Sequence, residues 1–573
     1  MRARAVARAH HARAERHPPT EERVHVPVPR GDDDATVKPR ARVGKPRARF
    51  PAANASRGAT VVVDAPIARG VVRRIRRVLP DVLARGRAKP TPATNETRRR
   101  RHRVNEWRHD VPSVIRPRRR VSTDDSRRLS LGTEATMSLA SPPPPRSSRE
   151  FDLVVYGANG FTGALAVDYL AKTYARDVRV ALAGRDLTKL ARTRDTIVTK
   201  RSLPSSTLPV LVANDARTMR EMCARAACVL TFAGPYDADG DTGGVALART
   251  CAELGTDYCD ISGEPRFVRR VIEACDAEAR GTGSACVSCC GYDSAPWDVG
   301  CRAAADACAK SGAPCASAFG HAGRARGGVS GGTIASAAKA VSRPKSETRG
   351  IGDPLYLARG ALEEERRWKS PQGWWRYDED TKRWTMPSIM AGINAKVVGR
   401  SYALNPDKYG PNFEYDEADL CSSKTNAVCG TLALGAFGAA FLTSPLRWLM
   451  RKTILPKQGD GPSEDTRENG YSHVYVVAKG EPRADGGAAD AYCAEFEFKH
   501  ADPGYKGTAA LACEVALCLA IPSERERLPW VQNGGGGCMT PSACMQDVLR
   551  ERLDKSENFS LVVKKLEDTV FLV

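Results

Sequence analysis

Between Phe151 and Cys289 the chain alternates short apolar runs with longer stretches of helical period. The runs Phe151–Tyr156, Arg179–Gly184, Leu208–Ala213, Cys228–Ala233, Thr256–Ile261 and Ala285–Cys289 predict six strands. Their hydrophobicity is continuous rather than alternating, which suits strands buried on both faces of a parallel sheet. Helices are predicted over Ala164–Tyr174, Thr218–Ala226, Gly243–Leu254 and Glu264–Arg280. This order predicts an α/β fold built on a doubly wound, Rossmann-type parallel sheet.

The first turn carries the chemistry. Gly157-Ala158-Asn159-Gly160-Phe161-Thr162-Gly163 follows the first strand directly and opens the first helix. In that context Gly157 permits a tight turn, Gly160 lets the backbone approach a pyrophosphate, and Gly163 lets helix pack on strand. The helix N-terminus offers free N–H groups to the phosphates. Residues 151–300 therefore predict an NAD(P)-binding domain. Arg185 ends the second strand, where an Arg suits a ribose 2′-phosphate and an acid suits a 2′-hydroxyl. NADP(H) is favoured over NAD(H), although Asp186 stands beside Arg185. Asp215, after the third strand, is a candidate to border the adenine, and Gly234 and Pro235 belong to the loop after the fourth.

Ligands of such sheets bind at the carboxyl ends of the strands, so proton donors are sought there. Tyr236, Asp260 and Asp293 are the catalytic candidates. Each has a plain structural alternative: Gly234-Pro235-Tyr236 as a simple turn, Asp260 and Asp293 as helix caps. Cys286, Cys289 and Cys290 form a Cys-x-x-Cys-Cys cluster, but histidine is scarce after residue 150 (His321, His473 and His500), so core packing is preferred to a metal or redox site. No metal is expected. Cys301, Cys308 and Cys315 recur every seven residues, which predicts one buried helix face. Arg324, Arg326 and the glycine-rich Gly327–Thr333 stretch form either a phosphate or acyl-carrier contact or a connection between domains.

Residues 425–446 carry no charge, and Arg447, Arg451, Lys452 and Lys457 follow. The length suffices for a membrane span. A shallow insertion and a buried helix are the alternatives, with Trp448 as an interfacial anchor and the basic flank suited to an anionic surface.

Charge changes the picture at the other end. The formal charge of +21 resides wholly in residues 1–150, which hold 36 Lys+Arg against 15 Asp+Glu; the remaining 423 residues carry 52 of each. The basic segment has few aromatics and no sustained period, and predicts disorder. It reads as a stretch outside the native protein, with translation starting at Met137, or as an organellar (chloroplast or mitochondrial) transit peptide. A nucleic-acid-binding arm is disfavoured because no aromatics interleave the arginines, and nucleic acid is not expected as a partner. All 18 cysteines lie between Cys223 and Cys544, scattered as in a reduced intracellular protein.

Taken together, Tyr156–Gly163, Leu182–Arg185, Ala233–Tyr236, Asp257–Glu264, Cys290–Asp298, Ser330–Thr333, Asn394–Ser401, Gly461–Glu464, Asp502–Tyr505 and Met539–Ser542 resemble the saccharopine dehydrogenase-like oxidoreductases, which include the mycobacterial trans-acting enoyl reductases. The resemblance runs from about residue 151 to 573. Tyr292 stands where that family commonly has Phe, and Asn394 where it often has an acid. The resemblance implies a mixed α/β second domain over 301–573, serving substrate binding and dimerisation, so a homodimer is a candidate assembly. It implies an NAD(P)H-dependent oxidoreductase acting on a lipidic substrate, such as a glycolipid precursor, at a membrane or lipid droplet. A saccharopine-type amino-acid dehydrogenase and a non-enzymatic lipid-droplet or membrane-associated protein that keeps the fold are the rivals.

Overall fold

The computed structural model describes residues 144–573, apart from 239, 241, 329–337, 339–341, 345–346, 348, 363–365, 370, 454–460 and 483–488. The Arg-rich segment, apart from its last residues, lies outside the described residues, as do Ser330–Thr333 and Lys457.

All six predicted strands are present: β1 Phe151–Tyr156, β2 Val180–Gly184, β3 Val210–Val212, β4 Ala226–Thr231, β5 Asp257–Asp260 and β6 Ala285–Val287. Helices α1 Phe161–Thr173, α2 Leu187–Arg201, α3 Ala216–Ala224, α4 Gly244–Glu253 and α5 Pro265–Thr282 connect them. The local signals explain the bounds. Pro265 starts α5, and Gly283, at φ +69°, ends it in the left-handed conformation. The sheet is parallel, and its order turns about β1, which pairs with β2 on one side and β4 on the other. The switch point thus lies over the glycine loop.

A second, mixed sheet follows α6 Ala295–Lys310. Its strands are β7 Cys315–Arg326, β8 Arg376–Asp378, β9 Arg383–Pro387, β10 Glu414–Cys421, β11 Tyr471–Gly480, β12 Ala491–Phe498 and β14 Phe559–Lys565. Only β7 and β10 pair in parallel; every other pairing is antiparallel. The helix α7 Ala391–Leu404 packs on β10, and α6 packs on β11 and β12. One expectation is corrected here. Cys301 and Cys308 share α6, but the helix stops at Lys310 and Gly312, at φ +92°, turns the chain, so Cys315 begins β7.

The chain then returns to the first sheet. Helix α10 Thr508–Ala520 is buried at every residue and packs against α1, β4 and β5. Strand β13 Gly537–Met539 pairs in parallel with β6 as a seventh strand, and α11 Pro541–Lys555 follows, capped by Thr540. Two buried carboxylates fix this return. Glu514, inside α10, is wholly buried and accepts from the hydroxyls of Tyr169 and Tyr174 at 2.6 and 2.7 Å and from Arg552 of α11 at 2.7 Å. Asp298, in the first turn of α6, accepts from the backbone N–H and the hydroxyl of Ser542, each at 2.8 Å, and from Ser401 of α7.

The apolar stretch stands apart. Helix α8 Lys424–Leu442 and helix α9 Ser444–Thr453 leave the edge of the mixed sheet beside β9. Among the described residues, only 17% of an apolar 18-residue stretch of α8 is buried.

Breaking the Glu514 cluster tests the returning helix. Arg552→Met leaves a wholly buried carboxylate with two hydroxyls and no cation. It should lower stability by about 3–5 kcal/mol, read as a lower urea midpoint. Adding Glu514→Gln should recover part of the loss.

Candidate active site

Gly157, at φ +80°, makes the turn after β1 and donates its N–H to Ala183 of β2 at 2.8 Å. A Cβ there would lie 2.9 Å from the backbone nitrogen of Ala233, so the loop after β4 rests directly on this turn. A Cβ on Gly163 would collide with the Gly157 carbonyl. The N-cap of α1 is Gly160, and no side chain caps the helix there. The N–H groups of its first turn, including those of Phe161 and Thr162, therefore remain for an anionic ligand. Asn159 is exposed, its side-chain oxygen about one contact distance (3.2 Å) from the Cβ position of Gly184 at the end of β2.

The residues around the ribose position divide by task. Asp186 is the N-cap of α2, accepting from the Lys189 N–H at 3.1 Å. Asp215 is likewise committed to capping α3, in a reciprocal box with Thr218 whose hydrogen bonds hold its carboxyl below the usual range. Arg185 is exposed, next to Tyr156. Uncapped N–H groups, glycines where a side chain would intrude and an exposed guanidinium fit a dinucleotide with a 2′-phosphate. Gly234 is exposed in the loop after β4, and Pro235 follows it.

The three acid/base candidates differ sharply. Tyr236 is buried, its hydroxyl donating to the Thr231 carbonyl at 3.0 Å and its ring against Phe267. Asp260 is also buried; it accepts from the Ser262 N–H and the Ser288 hydroxyl at 2.8 Å each, and from the Cys289 N–H at 3.3 Å. It ties the ends of β5 and β6 together. Asp293 stands open. It follows β6, and no donor among the described residues bonds its carboxyl, yet burial alone raises it to about 6. A carboxyl poised near neutrality with free oxygens is what proton transfer requires.

Chain segments distant in sequence pack over the glycine loop. Tyr505 sets its ring edge-on to Phe161, centroids 5.1 Å apart, and its buried hydroxyl has no partner among the described residues. Arg467 lies over the other part of Phe161, and a Cβ on Gly461 would touch the same ring. Tyr292 donates its N–H to Thr508 at 3.1 Å and shares a hydrogen bond with Ser472 at 2.9 Å. The motifs Gly461–Glu464 and Asp502–Tyr505 thus meet over the glycine loop. Nothing local in the sequence signals Ser472 or Thr508 as neighbours of Tyr292, or Tyr505 as a neighbour of Asp293. Cys286, Cys289 and Cys290 are buried and pack in the core.

A family model described as the saccharopine dehydrogenase NADP binding domain matches residues 153–287. A protein named as a trans-acting enoyl reductase in Mycobacterium tuberculosis is 35% identical over 422 residues, which is 71% of this chain and 96% of that relative. The trans-acting enoyl reductase of Mycobacterium ulcerans is 32% identical over 434 residues, 72% of this chain and 97% of its own length. Apo saccharopine dehydrogenase from Saccharomyces cerevisiae aligns in structure at 14% identity with a TM-score of 0.39, over 72% of this chain and 99% of that one. The cofactor is NADP(H).

Arg185→Ala should weaken NADPH binding roughly tenfold to a hundredfold, the worth of a hydrogen bond to a charged group, and leave NADH affinity unchanged. Fluorescence titration of both nucleotides checks this.

Proposed function

The chain belongs to the saccharopine dehydrogenase-like oxidoreductases, the family that includes the trans-acting enoyl reductases, and from that premise we propose that it reduces the conjugated double bond of a lipidic enoyl thioester at a membrane surface. The observation that carries this reading is the unbonded Asp293 carboxyl, at the carboxyl edge of the parallel sheet and joined to the glycine loop through Tyr505, which lies against Phe161 and feels the Asp293 charge. Bound NADPH supplies the hydride. The amides of Phe161–Gly163 and Arg185 would hold its phosphates, and Phe161 with Tyr505 would close that end against water. Asp293 delivers the proton that completes the reduction.

The membrane part of the reading is supported by α8 and α9. Leu432, Leu442, Leu446, Trp448 and Leu449 are exposed large apolar residues on these helices, with Arg447 and Lys452 beside them. Lys452 sits over the Trp448 ring at 5.0 Å, an arrangement suited to an interface with anionic lipid.

NADPH oxidation in the presence of trans-2-enoyl thioesters is the direct test. Asp293→Asn should lower kcat roughly 100- to 10,000-fold with NADPH affinity retained. The donor is the protonated form, so wild-type kcat should fall as pH rises through about 6, and the variant should lose that limb. A profile unchanged in the variant removes Asp293 as the donor. For the membrane reading, the full chain should float with anionic vesicles, and Leu446→Glu with Trp448→Glu should abolish flotation; unchanged flotation contradicts it.

A further inference from the structure

Beyond Asp293, further carboxyls face the Tyr292 ring from one face of the mixed sheet. Tyr415, Glu417 and Asp419 alternate along β10 and so share that face, with Gly320 and Ala322 of β7 in register beside Glu417 and Asp419. A Cβ on Gly320 would lie 2.8 Å from Trp297 of α6, so this is the face turned toward the parallel-sheet half of the molecule. Glu417 is wholly buried and accepts from the Ser388 hydroxyl at 3.0 Å and the Tyr415 hydroxyl at 3.1 Å. Ser388 also lies against the Asp419 carboxyl. Asp419 itself keeps part of its surface open, between neighbours that are buried.

Helix α7 closes the other side with Asn394. Its amide is wholly buried against the Glu417 carboxyl, the one group among the described residues placed to bond it, which leaves its remaining hydrogen-bonding positions open. Leaving such a group unpaired costs about 1–3 kcal/mol, so it marks a place where a ligand's polar group belongs. Asp419 and Glu417 act electrostatically on the Tyr292 hydroxyl, as does Asp293, which puts the three carboxyls around one ring. Among the described residues no cation bears on Asp293 or Asp419.

We propose that Asp419 and Asn394, positioned by Ser388 and Glu417, form the polar subsite of the substrate pocket, and that it accepts a neutral hydrogen-bonding group, a thioester or ketone carbonyl, while rejecting a carboxylate. Burial supports the assignment by raising Asp419 to about 7 and Glu417 to about 8, so that a proton is available near neutrality for donation to a carbonyl oxygen. An anionic substrate would instead meet three carboxyls and no compensating charge. The inference rests on the reading of the cleft as the substrate site, and its consequence is discrimination against amino-acid substrates.

The experiment is calorimetric binding to the NADPH-loaded full chain near neutral pH, comparing the N-acetylcysteamine thioester of trans-2-octenoic acid with free trans-2-octenoate. The wild type should favour the thioester by at least about tenfold. Asp419→Asn should narrow that preference by strengthening the carboxylate, and Asn394→Ala should weaken the thioester about tenfold with NADPH affinity unchanged. Wild-type thioester affinity should fall as pH rises through about 7, Asp419→Asn should remove that decline, and Glu417→Gln should keep thioester affinity near neutrality. Equal affinity for the two ligands, failure of the thioester to bind, or a preference untouched by Asp419→Asn would overturn the proposal. Selective thioester binding without NADPH oxidation would instead contradict the reductase reading and leave the subsite standing.

Discussion

The structure depends on one constraint, the return of a wholly buried helix from the second half of the chain to the first sheet. Helix α10 carries a carboxylate, Glu514, into a position with no solvent, where an unpaired charge would be prohibitive. Tyr169 and Tyr174 from the first half and Arg552 from the second answer it. The two halves therefore satisfy one another's buried polarity. The same helix begins at Thr508, which holds the Tyr292 backbone, and is preceded by Tyr505, which stands on Phe161. Packing of α10 thus sets the distance between the glycine loop and the Asp293 loop.

Asp298 extends the arrangement. It lies five positions after Asp293, takes donors from Ser401 and Ser542, and is raised to about 6 by burial. Its bonds join α6, α7 and α11, the helices between the two sheets. Asp260 does the equivalent work at the ends of β5 and β6. Buried carboxyls that are fully bonded are framework, whereas Asp293, part-exposed and with no donor among the described residues, is placed for chemistry.

Much of this was legible locally. The glycine spacing, the apolar runs of β1 to β6 and the Arg after β2 are short-range signals, and they placed the glycine turn and Arg185 at the carboxyl ends of β1 and β2. Arg185 and Asp186 stood adjacent with opposite implications, and only the capping of α2 by Asp186 separates their tasks. The acidic strand β10 was not legible as a buried element. Nothing local in Glu414–Leu420 signals burial, which comes from pairing between β7 and β9 and from α7 packing on it. Strand β13 was missed because three residues after a glycine run carry no strand signal, and its pairing with β6 is a tertiary effect. The heptad of Cys301, Cys308 and Cys315 misled because spacing alone does not register the helix stop at Gly312.

The central claim is that the glycine loop and the Asp293 carboxyl serve the same bound nucleotide. A structure of the NADPH-loaded chain tests it most directly. The account predicts the pyrophosphate against residues 157–163, the 2′-phosphate at Arg185, and the nicotinamide ring within about 4 Å of the Asp293 carboxyl or of a substrate atom it touches. A nucleotide seated elsewhere, or a nicotinamide directed away from Asp293 and the β10 face, would contradict it.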